Sequence, residues 1–232
     1  MGSIFSPDIS RLHNLSQVKR DYANLNLTER GLAMLTLQPL PYSYGALEPF
    51  ISEEAMRLHH LSHQKGYIDK LNKTLEDYPG LLKRVGSLYE LISNPKWLPQ
   101  EIKQSVIDFG GGAWNHSFYW LCLSPTPLPY EETPRAFQAK VKQTFGGYAE
   151  LRRELLKKGT SHFGSGWVWL AETQEGELRV YSTLNQNTPM MRSHKPILTI
   201  DLWEHAYYKD YDNGREEFLM EVIDNLLSWR FA

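Results

Sequence analysis

The sequence predicts an α+β fold: a helical N-terminal half, then a C-terminal half that combines helices with a small three-stranded antiparallel sheet. Three observations carry this prediction. Helix-like apolar spacing, with helix start and stop signals, dominates before residue 124. The stretch Ser124 to Pro134 then places four prolines and two glutamates in eleven residues, the best linker in the chain. Beyond it lie three short runs rich in rings and β-branched residues, the first two joined by Gln174-Glu175-Gly176.

Taken in order, Pro39 and Pro41 mark an extended entry segment. Ser52 reads as a helix N-cap with Glu53 and Glu54 in the first turn, where carboxylates complement the helix dipole. That helix is expected from about Ser52 to Leu75, broken by Tyr78-Pro79-Gly80. A shorter helical patch covers about Leu81 to Ile92 and ends at Asn94-Pro95. Pro99 suits the first turn of a second long helix, which reads through Gly110–Gly112 to about Cys122. Three consecutive glycines inside a helix lower its stability, and they make sense where something large must approach the backbone. After the linker, helices are expected over Pro134–Thr144 and Tyr148–Lys158, strands over Gly166–Thr173, Glu177–Leu184 and Pro196–Leu202, and a closing helix near Glu216–Trp229. The expected organisation is an N-terminal extension over 1–35, open to disorder, a helical domain over 36–124, the linker over 125–134 and an α/β domain over 135–232.

Composition narrows the function. A net charge of −2 argues against nucleic acid as a partner. No apolar run approaches the length of a membrane span. Residues 1–33 lack a long apolar segment of the secretory kind, so the cytoplasm is the expected location, with an organellar address left open. One cysteine, Cys122, permits no internal disulfide, so a metal site here would use imidazole and carboxylate.

The chemistry concentrates in Asp201-Leu202-Trp203-Glu204-His205-Ala206-Tyr207-Tyr208, where an acid and a histidine stand among rings. Aromatic walls exclude water and tune a metal, and Trp203, Tyr207 and Tyr208 are expected to bury the pair. A buried carboxylate needs a cation or strong hydrogen bonds. His59, His63 and Tyr67 recur every fourth residue of the first long helix and share one face, while His60 points elsewhere. His116 stands on the second long helix, with Trp120 one turn on. A lone histidine of this kind is more often a core residue than a ligand. Together the set offers three imidazoles and one carboxylate, suited to several transition metals, and an anionic oxygen donor favours manganese or iron over structural zinc.

Read jointly, these segments resemble the iron/manganese superoxide dismutases. The blocks that carry the likeness are Leu40-Pro41-Tyr42-Ser43-Tyr44-Gly45-Ala46-Leu47-Glu48-Pro49, Leu58-His59-His60 through His63 to Tyr67, Gly110 to Trp120, Gly164-Ser165-Gly166-Trp167-Val168-Trp169-Leu170, and Asp201 to Tyr208. The resemblance covers about residues 36–230. It implies an N-terminal helical hairpin joined to the α/β domain with the metal between them. It implies conversion of superoxide to dioxygen and hydrogen peroxide by cycling between M(III) and M(II). The implied ligands are His59, His116, Asp201 and His205, with solvent completing a five-coordinate site and one ion per subunit. His63 and Tyr67 match a gateway pair. Trp120, Trp167 and Trp203 match pocket walls, and Arg215 matches a basic residue at the substrate funnel. Glu204 and Tyr208 match residues that reach across a dimer interface, so a homodimer or tetramer is implied. Gln186, with Gly112 at the helical alternative, matches the glutamine arrangement of manganese-type members, with iron as the other option.

Departures are as informative. Ser62-His63-Gln64 stands where Lys-His-His is common, which removes a cation near the funnel; Lys65 and Lys70 are candidate replacements. Phe50 replaces a common histidine, and Lys70 and Phe109 each replace a usual asparagine, while Asn72 keeps its place. Two other readings stand beside the enzyme. One is a non-catalytic relative that keeps the fold for binding or assembly. The other is a zinc hydrolase with Glu204 as its base.

Overall fold

A computed structural model describes residues 34–232, and the expectations for residues 1–33 lie outside them. Ser52 does cap the first long helix: its hydroxyl accepts the Ala55 N–H at 3.1 Å. The helix then runs through 53–75 as Glu53–Leu58, Lys65–Leu75 and, between them, a π-helical turn over His59–Gln64. We call it α1. Its entry segment is tied down by Asn72, whose amide exchanges 2.8 Å hydrogen bonds with both backbone groups of Leu35.

The expected patch over Leu81 to Ile92 is two short helices, α2 (Leu81–Val85) and α3 (Leu88–Ser93). Gly86 separates them at φ +84°, a conformation that costs glycine little, and Ser87 caps the second by accepting the Glu90 N–H. The second long helix, α4, spans 100–122 as Gln100–Ser105, a π-helical turn Val106–Gly110 and Gly111–Cys122. Both long helices therefore carry a π-helical turn beside the residues singled out for chemistry, the usual setting of such turns. Sequence spacing does not reveal them, because the pattern was read at 3.6 residues per turn.

Beyond Cys122 the chain pairs with its own C-terminus. Leu123 bridges Leu227, and Leu128 accepts the Trp229 N–H at 3.0 Å. Helices α5 (Arg135–Phe145) and α6 (Tyr148–Thr160) meet at Gly146 and Gly147, both at positive φ. The antiparallel sheet has order β2-β1-β3, with β1 Gly166–Glu172, β2 Leu178–Leu184 and β3 Lys195–Asp201. Every residue of β1 but the last is buried, as its central place demands. After a four-residue helix α7 (Tyr208–Tyr211), the closing helix α8 comprises Arg215–Glu221 and a π-helical turn Val222–Leu226. It stops short of the expected Trp229 because Leu227 turns extended to meet Leu123. One apolar core joins the two halves, from Leu35 to Phe231, and α4 packs directly on β3. No helix among the described residues is long and apolar enough to cross a membrane.

Candidate metal centre

Four side chains from three separate stretches of sequence converge where α1, α4 and the end of β3 meet. His59 comes from the π-helical turn of α1 and His116 from the middle of α4. Asp201 is the last residue of β3, and His205 sits on the 3-10 turn Glu204–Ala206. Their potential ligand atoms all lie within 4.8 Å of one another. Asp201 Oδ2 stands 3.1 Å from His59 Nε2, 3.2 Å from His205 Nε2 and 3.6 Å from His116 Nε2. Donors held roughly 2.1 Å from one first-row ion would stand roughly 3.0–3.6 Å apart, so the spacing of the imidazoles around Asp201 suits one ion. The other carboxylate oxygen accepts the Trp203 N–H at 2.9 Å, which fixes the rotamer of Asp201.

Protonation argues for a cation here more strongly than distance does. His116 Nδ1 lies 2.6 Å from the Gly112 carbonyl, an acceptor only, so that nitrogen carries the proton. Burial and the neighbouring His59 hold the His116 imidazole well below its ordinary range, so it is neutral. Its Nε2 is then a bare lone pair aimed at a carboxylate oxygen and at His205 Nε2, 3.4 Å away. A bare lone pair facing a carboxylate oxygen in a dry interior is repelled unless a cation lies between them. His59 is likewise lowered, by burial, to about 4. For Asp201 burial works in the opposite sense, but His205 and His59 outweigh it and hold the carboxyl below its usual range. The neutral imidazoles of His59 and His116 and the ionised carboxylate of Asp201 match the protonation a metal needs.

Gln186 and Tyr67 form the next layer. Trp167 Nε1, which can only donate, reaches Gln186 Oε1 at 2.9 Å; the amide nitrogen of Gln186 therefore faces Tyr67 and donates to its hydroxyl, also at 2.9 Å. The glycine triad makes room for both. A Cβ at Gly112 would lie 2.5 Å from the Tyr67 ring, and one at Gly111 would lie 2.2 Å from the Gln186 carbonyl oxygen. Asn115 donates to that carbonyl at 3.2 Å, a supporting role the sequence reading missed; its place beside His116 was the available signal.

Residues 34–124 match the description "Iron/manganese superoxide dismutases, alpha-hairpin domain", and residues 133–232 match "Iron/manganese superoxide dismutases, C-terminal domain". The chain belongs to the iron/manganese superoxide dismutases. It is similar to "Superoxide dismutase [Mn] 1" of Leptolyngbya boryana, 41% identical over 197 residues that cover 84% of this chain and 77% of that protein.

The three indoles stand close to the site: Trp120 4.7 Å from His59, Trp167 5.1 Å from His116 and Trp203 5.6 Å from His205, centroid to centroid. His63 stacks on His205 at 4.2 Å, and the Tyr67 ring lies 5.4 Å from that of His116. Tyr208 is corrected: it is 55% exposed in the single chain and does not bury Asp201 and His205. Tyr207 is buried but packs on Phe218. Glu204 is exposed. Arg215 does not project freely: it donates to the carbonyls of His162 and Gly164 and to the Tyr207 hydroxyl. Lys65 is paired with Asp69 at 2.5 Å, whereas Lys70 lies over the Phe109 ring at 5.6 Å. The two departures from asparagine thus contact each other. His60 points away from the centre, as expected: its Nε2 faces the Gln38 carbonyl at 2.9 Å, and its Nδ1 accepts from Tyr44.

Proposed function

We propose that this superoxide dismutase binds one manganese ion per subunit through His59, His116, Asp201 and His205. The observation that carries the ligand set is the lone pair of His116 Nε2, turned by the Gly112 carbonyl toward a carboxylate and a second imidazole. When bound, the ion would supply the one-electron couple through which one superoxide is oxidised to dioxygen and another reduced to hydrogen peroxide. The name of the cyanobacterial relative and the C-terminal origin of Gln186 both support manganese over iron.

The chain's own residues handle orientation and protons. Burial pushes the Tyr67 hydroxyl up to about 12, so it keeps its proton at neutral pH while accepting from Gln186. Burial and His205 lower His63, leaving a neutral imidazole beside the site. We assign this pair as the gateway, and Trp120, Trp167 and Trp203 as the walls that keep bulk water out. We assign Arg215 an ordering role at the substrate funnel through its bonds to the 162–164 loop. Exposed Tyr208, Phe163 and Leu184 support a homodimer in which Glu204 and Tyr208 face the partner subunit. We assign the domain division to 125–134, with two of the proposed ligands on each side. The cytoplasm is our assignment, and the single buried Cys122 suits it.

The test is to remove metal, reconstitute separately with manganese and with iron, and assay dismutation. Activity with manganese and loss of the metal in His116→Ala are the expected results. Activity with iron alone would overturn the metal assignment, and a His116→Ala variant with normal metal and rate would overturn the ligand set.

A further inference from the structure

Gln64 stands where the family commonly places a histidine, and it is 1% exposed in the interior between α1 and α4. Trp120 Nε1 donates to Gln64 Oε1 at 2.7 Å. Gln64 Nε2 donates to Ser117 Oγ at 2.8 Å, and the Ser117 hydroxyl passes its own proton to the Ala113 carbonyl at 3.0 Å. The direction of this chain is fixed at both ends. An indole N–H can only donate, and a carbonyl can only accept. A flipped Gln64 amide would set donor against donor at Trp120. The far end of the chain rests on the backbone of α4, so the amide has one orientation and the indole one acceptor.

Trp120 transmits that constraint to the centre. Its ring meets His59 edge-on, with centroids 4.7 Å apart and planes at 78°, and stands 6.3 Å from His116. We propose that Gln64 is a positioning residue of the metal centre: by holding Trp120 it sets the ring orientation of His59. A neutral histidine could make the same two bonds, accepting at one ring nitrogen and donating from the other. The glutamine makes them with a group that does not titrate. This inference rests on the reading of His59 as a ligand.

The test uses full-length protein, both metal-free and manganese-loaded. Gln64→Leu keeps the volume roughly and removes both bonds. The metal-free arm reads the ring resonances of His59 by NMR, with His162 as a control. The loaded arm reads the Mn(II) electron paramagnetic resonance spectrum and the rate. Gln64→Leu is expected to move the His59 signals, leave His162 in place, alter the Mn(II) spectrum and lower kcat by about tenfold or more. Gln64→His is expected to restore all of these. In a Trp120→Phe background, Gln64→Leu is expected to do nothing further. Unmoved His59 signals in a folded Gln64→Leu protein would overturn the proposal, as would an undiminished effect in the Trp120→Phe background. Should Gln64→Leu fail to fold, Ser117→Ala, which frees the amide from its anchor, takes its place under the same criteria. A wild-type protein that takes up no manganese would overturn the metal reading, and the metal-free arm would still decide the role of Gln64.

Discussion

Gly111 and Gly112 look alike in sequence and do different work. At Gly112 the neighbour is the Tyr67 ring, a side chain that can tilt; at Gly111 it is the Gln186 carbonyl, part of the backbone. A methyl at 111 must therefore displace the turn that holds Gln186. Gly111→Ala is expected to cost about 2–3 kcal/mol and to lower activity, measured by urea denaturation and by the dismutation rate. Gly110→Ala, which meets only side-chain methyls, Ile92 Cγ2 at 2.8 Å and those of Leu88 and Leu71 at 3.5 and 3.6 Å, is expected to cost less. Equal losses at the two positions would count against this account. The triad itself was legible, since glycines inside a helix imply a close approach. The two approaching groups were not, because Tyr67 and Gln186 reach α4 only through the tertiary fold. Glu204 and Tyr208 show the complementary case. Both are exposed in the single chain, and only the family likeness suggested where they point.

The long helices were the most legible elements, because caps and breakers act locally. Ser52, Glu53 and Glu54 announced the start of α1, and Ser52→Ala is expected to destabilise the protein by about 1 kcal/mol in a denaturant titration. The π-helical turns were illegible. Each widens a helix at a site whose residues also satisfy an ordinary helical pattern, and packing decides between the two. One helix also rearranges the charges expected at the funnel. The carboxylate of Asp69 neutralises Lys65, one turn away, while Lys70 pairs with no carboxylate among the described residues and rests on Phe109. Lys70→Gln is therefore expected to lower kcat/KM by about two- to threefold at low salt, with the difference fading as salt rises, and Lys65→Gln to change it little. Identical salt profiles for wild type and Lys70→Gln would show that Lys70 does not steer superoxide.

At the scale of the whole molecule, the candidate metal centre lies at the seam of the fold. His59 and His116 come from the helical half, Asp201 and His205 from the half that carries the sheet, and one core runs through both. Sequence order showed the halves and the donors, and only the family likeness implied that the donors meet within one cage. The seam makes folding stability depend on proton and metal together. Burial lowers His59 from an ordinary value near 6.5 to about 4, and His116 is lowered too. Between those two pH values the unfolded chain binds protons on these imidazoles and the folded chain does not, so stability rises with pH across the window. The contribution is complete above about pH 6.5 and is lost as pH falls toward 4. Asp201 adds a loss of the same sign at lower pH, because its carboxyl is also held below its usual range. A bound ion requires the same neutral imidazoles and carboxylate, so it should stabilise the fold at neutral pH and leave as acid competes for its ligands. Chelator-treated protein is expected to show a Tm that declines steadily from pH 6.5 to pH 4. The metal-loaded protein is expected to hold a higher Tm at pH 7 and to release its ion within that window. Calorimetry with metal analysis at each pH checks both, and a Tm of the chelated protein that stays flat across the window would mean that the buried histidines do not link the two halves to pH.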